Sequence, residues 1–252
     1  MTIADDLARD GLVEKESVAE LQLDSEHPQV WDLPVRIFHW TLVAAIVSAF
    51  ITNRLGVAYF KYHVWSGYAV IILVAFRIIW GIVGTRYARF SQFLKGPTAT
   101  FRYALGLLGR RAPSYAGHNP LGACMVVTLL AALSVQAISG LFGNDEIFNI
   151  GPLAGYISTD LSLQLTTLHR RLFYWIAAAA AIHVLAVIAH YVFSRENLVR
   201  AMITGRKPPH CVSEGESIAS SRVWLAALLI ITLTAALSWI VIHAPLPIDA
   251  DS

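Results

Sequence analysis

The stretch HRRLFYWIAAAAAIHVLAVIAH, residues 169–190, decides how this chain folds. It is about as long as the segments of roughly 20 apolar residues that cross a bilayer as α-helices. It nevertheless contains three histidines, His169, His183 and His190, although ionisable residues are rare inside membranes. The stretch therefore predicts a transmembrane helix whose histidines carry a function.

The composition extends this expectation to the whole chain. Of 252 residues, 56% are hydrophobic and only 14% are charged, and the mean hydropathy is +0.57, which is typical of a membrane protein. A net charge of +2, with no basic run interleaved with aromatics, argues against nucleic-acid binding. Cys124 and Cys211 form no CxxC pair, which argues against zinc ribbons, thioredoxin-type sites, covalently attached c-type haem and a disulfide framework.

Five segments are predicted to cross the membrane, which gives an all-α fold. Four would form a membrane-embedded four-helix bundle, and the fifth would be an additional C-terminal transmembrane helix. Span one begins well, because Asp32 can cap it and Pro34 suits its first turn. Segment 143–167 is polar and contains glycine, so we expect a loop there. The predicted spans are 34–52, 63–84, 120–142, 168–193 and 222–243.

The basic residues predict the orientation. They concentrate in loops 85–119 and 194–222, whereas loop 53–62 has only Arg54 and Lys61, and loop 143–167 has none. By the positive-inside rule, the N-terminus and the basic loops are cytoplasmic and the C-terminus is periplasmic.

This orientation divides the chain into three parts. Residues 1–30 form an acidic cytoplasmic tail without the basic start and apolar run of a signal peptide. Residues 31–208 form the membrane domain, and residues 209–252 form the additional helix and the periplasmic C-terminus. His27, His210 and His243 are expected at the surface.

Depth sorts the remaining histidines into two pairs. Because successive spans run in opposite directions, His39 and His183 lie toward the cytoplasm, and His63 and His169 lie toward the periplasm. His169 and His183 are 14 residues apart, about 21 Å along a helix, and point in roughly the same direction. Two imidazoles facing each other across a bundle suit an iron with two axial positions. Since CxxCH is absent, we predict two non-covalent b-type haems, each with two histidine ligands, roughly 20 Å apart.

Two arginines are candidates for neutralising haem propionates. Arg77 interrupts the apolar run AVIILVAFRIIWG, where a charge costs roughly 2.5–3.5 kcal/mol and usually has a partner. It follows His63 by 14 residues, which places it at the level of the inner haem. Arg36 lies one turn before His39 and could serve the same purpose. Alternatively, Arg77 extends to the inner membrane interface.

Simpler interpretations compete with these. A single histidine near a helix end is more often interfacial than a ligand, whereas four that match in depth and face are harder to explain in that way. His190 follows His183 by seven residues and is either interfacial or part of a quinone or proton site. An ion or metal transporter would need acidic residues inside the spans, and the first four contain none. A purely structural anchor needs no histidines at matched depths.

Several motifs carry a family resemblance: VWDLPVRIFHW, HVWSGYAV, FRIIWGIVGTRYARF, GHNPLG, and the HRR…H span with RENLVRAMITGRK after it. Over about residues 30–208 the chain resembles the bacterial cytochrome b561 and nickel-iron hydrogenase b-type cytochrome family. The resemblance implies a four-helix membrane bundle with two b haems and the ligands His39, His63, His169 and His183. It also implies a quinone site beside the inner haem, near the loop that enters the third span.

In this chain that loop carries His118, Asn119 and Gly122. These residues equally suit the start of a helix, because Asn119 stands before Pro120 and is a good N-cap.

The expected function is that of a dihaem b-type cytochrome of the bacterial inner membrane. It would transfer electrons between the quinone pool and a periplasmic redox partner such as a c-type cytochrome. The outer loop has Asp145, Glu146 and Asp160 and no Lys or Arg, which suits a basic partner.

Two alternatives stay open for this function. One is a stand-alone quinone-linked oxidoreductase that acts on an oxygen species such as superoxide. The other is the cytochrome b subunit of a hydrogenase or dehydrogenase complex. The link between spans one and two is short, unlike in hydrogenase-type members, which argues against a hydrogenase partner. Span five has no counterpart in the family core, and would dock a partner, a second copy or the bundle's own flank.

Overall fold

The computed structural model describes residues 27–109, 113, 115–146, 149–209, 212 and 216–245. Within these residues the fold is all-helical, with no β-strand and two isolated bridges, and five helices are long and apolar enough to span a membrane. The helices are α1 (Leu33–Arg54), α2 (Phe60–Val83), α3 (Phe90–Phe93), α4 (Pro97–Leu108), α5 (Pro120–Leu141), α6 (Thr159–Ser194), α7 (Leu198–Thr204) and α8 (Val223–Ile242). The spanning helices α1, α2, α5, α6 and α8 confirm the predicted fold class. Most of the predicted acidic tail, with His210 and Cys211, lies outside the described residues.

Asp32 begins α1 and also joins it to the end of α2. Its Oδ1 accepts a 2.7 Å hydrogen bond from the amide of Val35, as the capping prediction requires. Its Oδ2 accepts hydrogen bonds from Trp80 Nε1, at 3.1 Å, and from Thr85 Oγ1. The carboxylate is buried, with 1% exposure. One side chain therefore holds the start of α1 and the end of α2 together.

The prediction of a loop over 143–167 is wrong for its second half, because α6 begins at Thr159. Ser158 caps the helix by accepting from the amide of Leu161. The hydroxyl of Thr166 then bonds both the amide and the carbonyl of Asn144, at 2.7 and 3.0 Å. The polar side chains that suggested a loop are used to attach the outer loop to a helix extending beyond the membrane.

The spanning helices pack in sequence. α1 packs on α2, α2 on α5, and α5 on α6, while α6 contacts the rest of the bundle chiefly through α5. The additional helix α8 packs on α2 and, to a lesser extent, on α1. Of the three roles considered for span five, the structure places it on the bundle's own flank.

Extended segments pack against one another at the end of the bundle where α1 begins. The amides of Val30 and Trp31 both donate to the carbonyl of Gly205, at 2.8 and 3.0 Å. Gly205 has φ = 83°, and a Cβ there would lie 2.7 Å from the carbonyl oxygen of Trp31, so only glycine suits this position. On its other side, the carbonyl of Gln29 accepts from the amide of Ile218. The segment before α1 is thus held between the chain after α7 and the chain before α8.

Candidate functional site

The outer histidines, His63 on α2 and His169 on α6, face each other across the bundle. Their ring centres are 6.1 Å apart and the ring planes are inclined by 82°. A metal bound by two imidazoles at about 2.0–2.1 Å to each ring nitrogen separates the ring centres by roughly 6 Å. The pair therefore fits one iron held between two axial nitrogens.

Backbone carbonyls set the protonation of both rings. His63 Nδ1 lies 2.8 Å from the carbonyl oxygen of Ala49, and His169 Nδ1 lies 2.8 Å from that of Gln136. A carbonyl oxygen can only accept, so each Nδ1 carries a hydrogen, and in a neutral ring of this tautomer Nε2 has the lone pair. A neutral imidazole with Nδ1–H bonded to a carbonyl is the form in which histidine binds metals.

Gly140 lets His169 approach α5 closely. A Cβ at this position would lie 2.9 Å from His169 Cε1 and 3.1 Å from Nδ1. Ser139 Oγ, 3.4 Å from the same Nδ1, adds a second polar neighbour. Sequence reasoning missed Gly140 and the two carbonyls. The available signal was a small residue inside an apolar span, which marks close packing in membranes.

The inner histidines also come together. His39 on α1 lies within electrostatic reach of His183 on α6. Its Nδ1 is shielded from solvent and has no hydrogen-bond partner among the described residues. The structure thus brings the four histidines together two by two, with the more complete set of supporting hydrogen bonds at the outer pair. That they hold haem stays a prediction.

Arg77 is buried, with 3% exposure, and does not extend into solvent. Its Nη1 donates to the carbonyl of Ala88 at 3.1 Å, and its guanidinium lies 5.2 Å from the ring centre of Phe90 and 5.9 Å from that of Phe93. A Cβ at Gly81 would overlap the Phe90 ring, so this glycine admits the aromatic cover. Nη2 is buried without a partner among the described residues. A buried cation with a free donor fits an anionic group such as a haem propionate.

The side chain of Arg36 contacts the end of α7. Its Nη2 donates to the carbonyl of Ile203 at the end of α7. Gly205 Cα lies beside the same side chain, since a Cβ there would be 3.1 Å from Arg36 Nη1. Arg36 thus attaches α7 to α1, although its Nε remains without a partner among the described residues.

The residues of the predicted quinone site lie where α5 begins. Asn119 Oδ1 accepts from the amide of Gly122 at 2.8 Å, so the capping role considered for it is observed. The ring of His118 lies 4.7 Å, centre to centre, from both Trp31 and Phe93. Its Nδ1 is shielded and has no partner among the described residues.

The charge state of His118 follows from its surroundings. Burial, together with the positive charges of Arg77 and Lys207, lowers the pKa of His118 to about 3. The imidazole is therefore neutral at physiological pH. It also lies within electrostatic reach of His39 and His183, which places it beside the inner pair.

His190 belongs to a separate polar cluster at the C-terminal end of α6, which the predicted orientation puts on the cytoplasmic side. Its Nε2 lies 3.2 Å from Glu196 Oε2, and Lys207 Nζ lies 2.5 Å from Glu196 Oε1. Lys207 also donates to the carbonyl of Tyr115 at 3.0 Å. We refer to His190, Glu196 and Lys207 as the cytoplasmic ion cluster. All three line a cavity of about 520 Å³.

Comparison with known proteins agrees with the resemblance of the motifs. A family model described as prokaryotic cytochrome b561 matches residues 30–205. The chain is 29% identical to the probable Ni/Fe-hydrogenase B-type cytochrome subunit of Rhodobacter capsulatus, over 71% of this chain and 80% of that protein. Its identity to the protein of the same name from Rhizobium leguminosarum bv. viciae is 24%, over 82% of this chain and 97% of that protein. No solved structure matches the chain.

Proposed function

The chain belongs to the prokaryotic cytochrome b561 family, and from this premise we propose that it carries electrons through two haems between a quinone and a redox partner. Membership makes it a bacterial integral membrane cytochrome that uses haem b in electron transfer. The number of haems, their ligands, the quinone and the partner are the proposed parts.

The proposed ligands are His63 with His169 and His39 with His183. The observation that carries the proposal is the outer pair, whose ring centres are 6.1 Å apart and whose Nδ1 atoms are both bonded to carbonyls. When bound, each haem supplies an iron that takes up and releases one electron. The chain's own part is to hold neutral imidazoles in the ligand form and to exclude water from them.

The quinone is proposed to bind beside the inner pair, at His118, Asn119 and Gly122. His118 is neutral, sits among the rings of Trp31 and Phe93, and has a ring nitrogen free to bond a quinone oxygen. Arg77 is proposed to bind a propionate of the inner haem, because its Nη2 is buried without a partner among the described residues.

The proposed location is the inner membrane, with the N-terminus in the cytoplasm and the C-terminus in the periplasm, as the basic loops indicate. The outer haem then exchanges electrons with a periplasmic protein. Glu146 and Asp160 are exposed at that end and suit a basic partner such as a c-type cytochrome.

A second candidate is the membrane subunit of a hydrogenase complex. It is favoured by the relatives, which are named probable Ni/Fe-hydrogenase B-type cytochrome subunits and are covered over most of their length. A stand-alone oxidoreductase acting on superoxide is a third alternative. Purified protein mixed with superoxide and quinone, without a partner, separates the third from the other two. Co-purification with hydrogenase subunits separates the second from the first.

The haem proposal is tested by a reduced-minus-oxidised spectrum together with the haem-to-protein ratio. We expect about two haems per chain, because each histidine pair holds one iron. His63→Ala and His39→Ala should each remove a different haem. The control is His243→Ala, which should remove none, because His243 caps the end of α8 and its Nδ1 bonds the carbonyl of Trp239. Protein without haem from haem-replete cells contradicts the proposal, and loss of neither haem in the variants refutes the pairing.

A further inference from the structure

The cytoplasmic ion cluster is a costly arrangement for a structural link. Lys207 has a side-chain exposure of 3% and Glu196 of 14%, and well-packed apolar side chains often stabilise such positions as much as a buried ion pair. The cluster also lines a cavity of about 520 Å³, and a polar cavity of that size accommodates water. Charged side chains beside a cavity large enough for water suit the movement of protons.

The cluster lies between the cytoplasm and the proposed quinone site. His190 follows His183 by two turns of α6, on nearly the same face and about 10 Å nearer the cytoplasm. Lys207 bonds the carbonyl of Tyr115, three residues before His118, and lies within electrostatic reach of the His118 ring. His190 therefore connects the cluster to His183 along α6, and Lys207 connects it to the segment that carries His118.

We propose that His190 is the residue that exchanges protons between the cytoplasm and the quinone. Glu196 pairs with its Nε2, and Lys207 pairs with Glu196. The inference rests on the proposed function. Oxidation of one quinol to quinone breaks two O–H bonds and releases two electrons and two protons. Bound haems would accept the two electrons, and the two protons pass one at a time through water to the His190 imidazole and then to water in the cavity. Quinone reduction uses the same steps in reverse.

Among the three members, His190 is the one suited to carry the proton. Burial by itself would raise the pKa of Glu196, but the hydrogen bonds from His190 and Lys207 bring it down to about 2, so it stays a carboxylate. Histidine is the side chain that gains and loses a proton near neutral pH. The other titratable and charged groups that face the cavity are His27, Tyr103, Arg195, Arg200 and Arg206. This set is predominantly positive, and Glu196 is the acidic side chain of the cavity lining that pairs with His190.

The decisive variant is His190→Gln, because a glutamine amide can still donate to Glu196 but cannot exchange a proton near neutral pH. The measurement is haem reduction in the purified holoprotein, driven either by a ubiquinol analogue or by dithionite, between pH 5.5 and 8.5. We expect quinol-driven reduction at pH 7 to fall about tenfold or more, while haem content and reduction by dithionite stay at the wild-type level. His243→Ala, at the other end of the bundle, is the matched control.

Glu196→Gln supplies a second readout. The amide removes the negative charge beside His190 but can still accept its hydrogen bond, so the pH profile of quinol-driven reduction should change while the haem content stays at the wild-type level. The reduced-minus-oxidised infrared spectrum should contain an imidazole band that His190→Gln removes.

Three results overturn the inference. One is a wild-type rate with an unchanged pH profile in His190→Gln. Another is a parallel loss of haem and of dithionite reduction, which assigns His190 a structural role only. If quinol fails to reduce the wild-type haems at all, the proposed function fails and takes this inference with it.

Discussion

At the scale of single residues, the backbone carbonyls of Ala49 and Gln136 favour the proposal that His63 and His169 are ligands, because they orient both rings. Each accepts from an Nδ1–H at 2.8 Å and so leaves Nε2 available. Neither carbonyl depends on the identity of its side chain. This explains why the proposed ligand positions can be predicted from the sequence, whereas the carbonyl oxygens that orient their rings cannot.

Gly140→Ala should weaken the outer haem site selectively. The added methyl would lie 2.9 Å from His169 Cε1, so the ring must move and its bond to the carbonyl of Gln136 must lengthen. Changes next to a metal ligand typically lower affinity by about 10–100-fold, so haem content should fall from about two toward one per chain. Spectra and haem assays of the purified variant measure this.

The matched control for that change is Gly96→Ala, where a Cβ meets no atom within 4 Å. It should retain both haems. Full haem content in Gly140→Ala would contradict the role given to Gly140.

Arg77→Gln should lower the midpoint potential of the inner haem. A nearby positive charge stabilises the reduced state, which carries one positive charge fewer, so its removal favours oxidation. For a one-electron couple about 59 mV corresponds to a tenfold change in equilibrium constant, and we expect a decrease on the order of 30–60 mV. Redox titration of the two haems measures it.

Arg222→Gln is the control for the potential, because Arg222 is an exposed arginine that donates to the carbonyl of Val83 at 3.1 Å. An unchanged inner potential in Arg77→Gln would show that Arg77 serves only to attach the segment around Ala88.

At the scale of elements, the sequence predicts the apolar parts of helices better than their polar extensions. The spans at Leu33–Arg54 and Pro120–Leu141 agree closely with the predictions 34–52 and 120–142, because hydropathy and N-caps mark both. The start of α6 at Thr159 was missed. Its first turns are polar, and the bonds between Thr166 and Asn144 that favour a helix join residues 22 positions apart.

Asp32→Ala should destabilise the junction of α1 and α2. The change removes a helix cap, typically worth about 0.5–2 kcal/mol, and leaves the buried donor of Trp80 without its acceptor, which costs about 1–3 kcal/mol. We expect the free energy of unfolding to fall by about 2–4 kcal/mol, measured by thermal or denaturant unfolding in detergent.

Asn197→Ala serves as the comparison for Asp32→Ala. Asn197 caps the short helix α7 through one exposed 2.9 Å bond to the amide of Arg200, and its loss should cost no more than about 1 kcal/mol. Equal effects in the two variants would contradict the linking role of Asp32.

At the scale of the whole molecule, we expect the five spanning helices to place the segment before α1 and the segment after α8 on opposite sides of the membrane. Alkaline phosphatase, which is active only in the periplasm, should be active when fused after Pro245 and inactive when fused after Lys95. A fusion after Ala219, which removes α8, should be inactive, because four crossings return the chain to the cytoplasm. The reverse pattern would invert the proposed orientation and move the quinone site to the periplasmic side.

The sequence alone determined the membrane class, the number of spans and the sorting of histidines by depth. These properties follow from hydropathy and from the fixed rise and rotation of a helix, both of which act along one segment. Only the tertiary structure decided that α8 lies along α2, that Phe90 and Phe93 cover Arg77, and that Gly140 makes room for His169.

Contacts between distant segments also explain why the sequence left the role of His190 open between the interface and a quinone or proton site. Its partner Glu196 follows α6, but the Lys207 that holds Glu196 comes after another helix and bonds a carbonyl 92 residues away. Such contacts depend on how separate segments meet, and no local pattern specifies them.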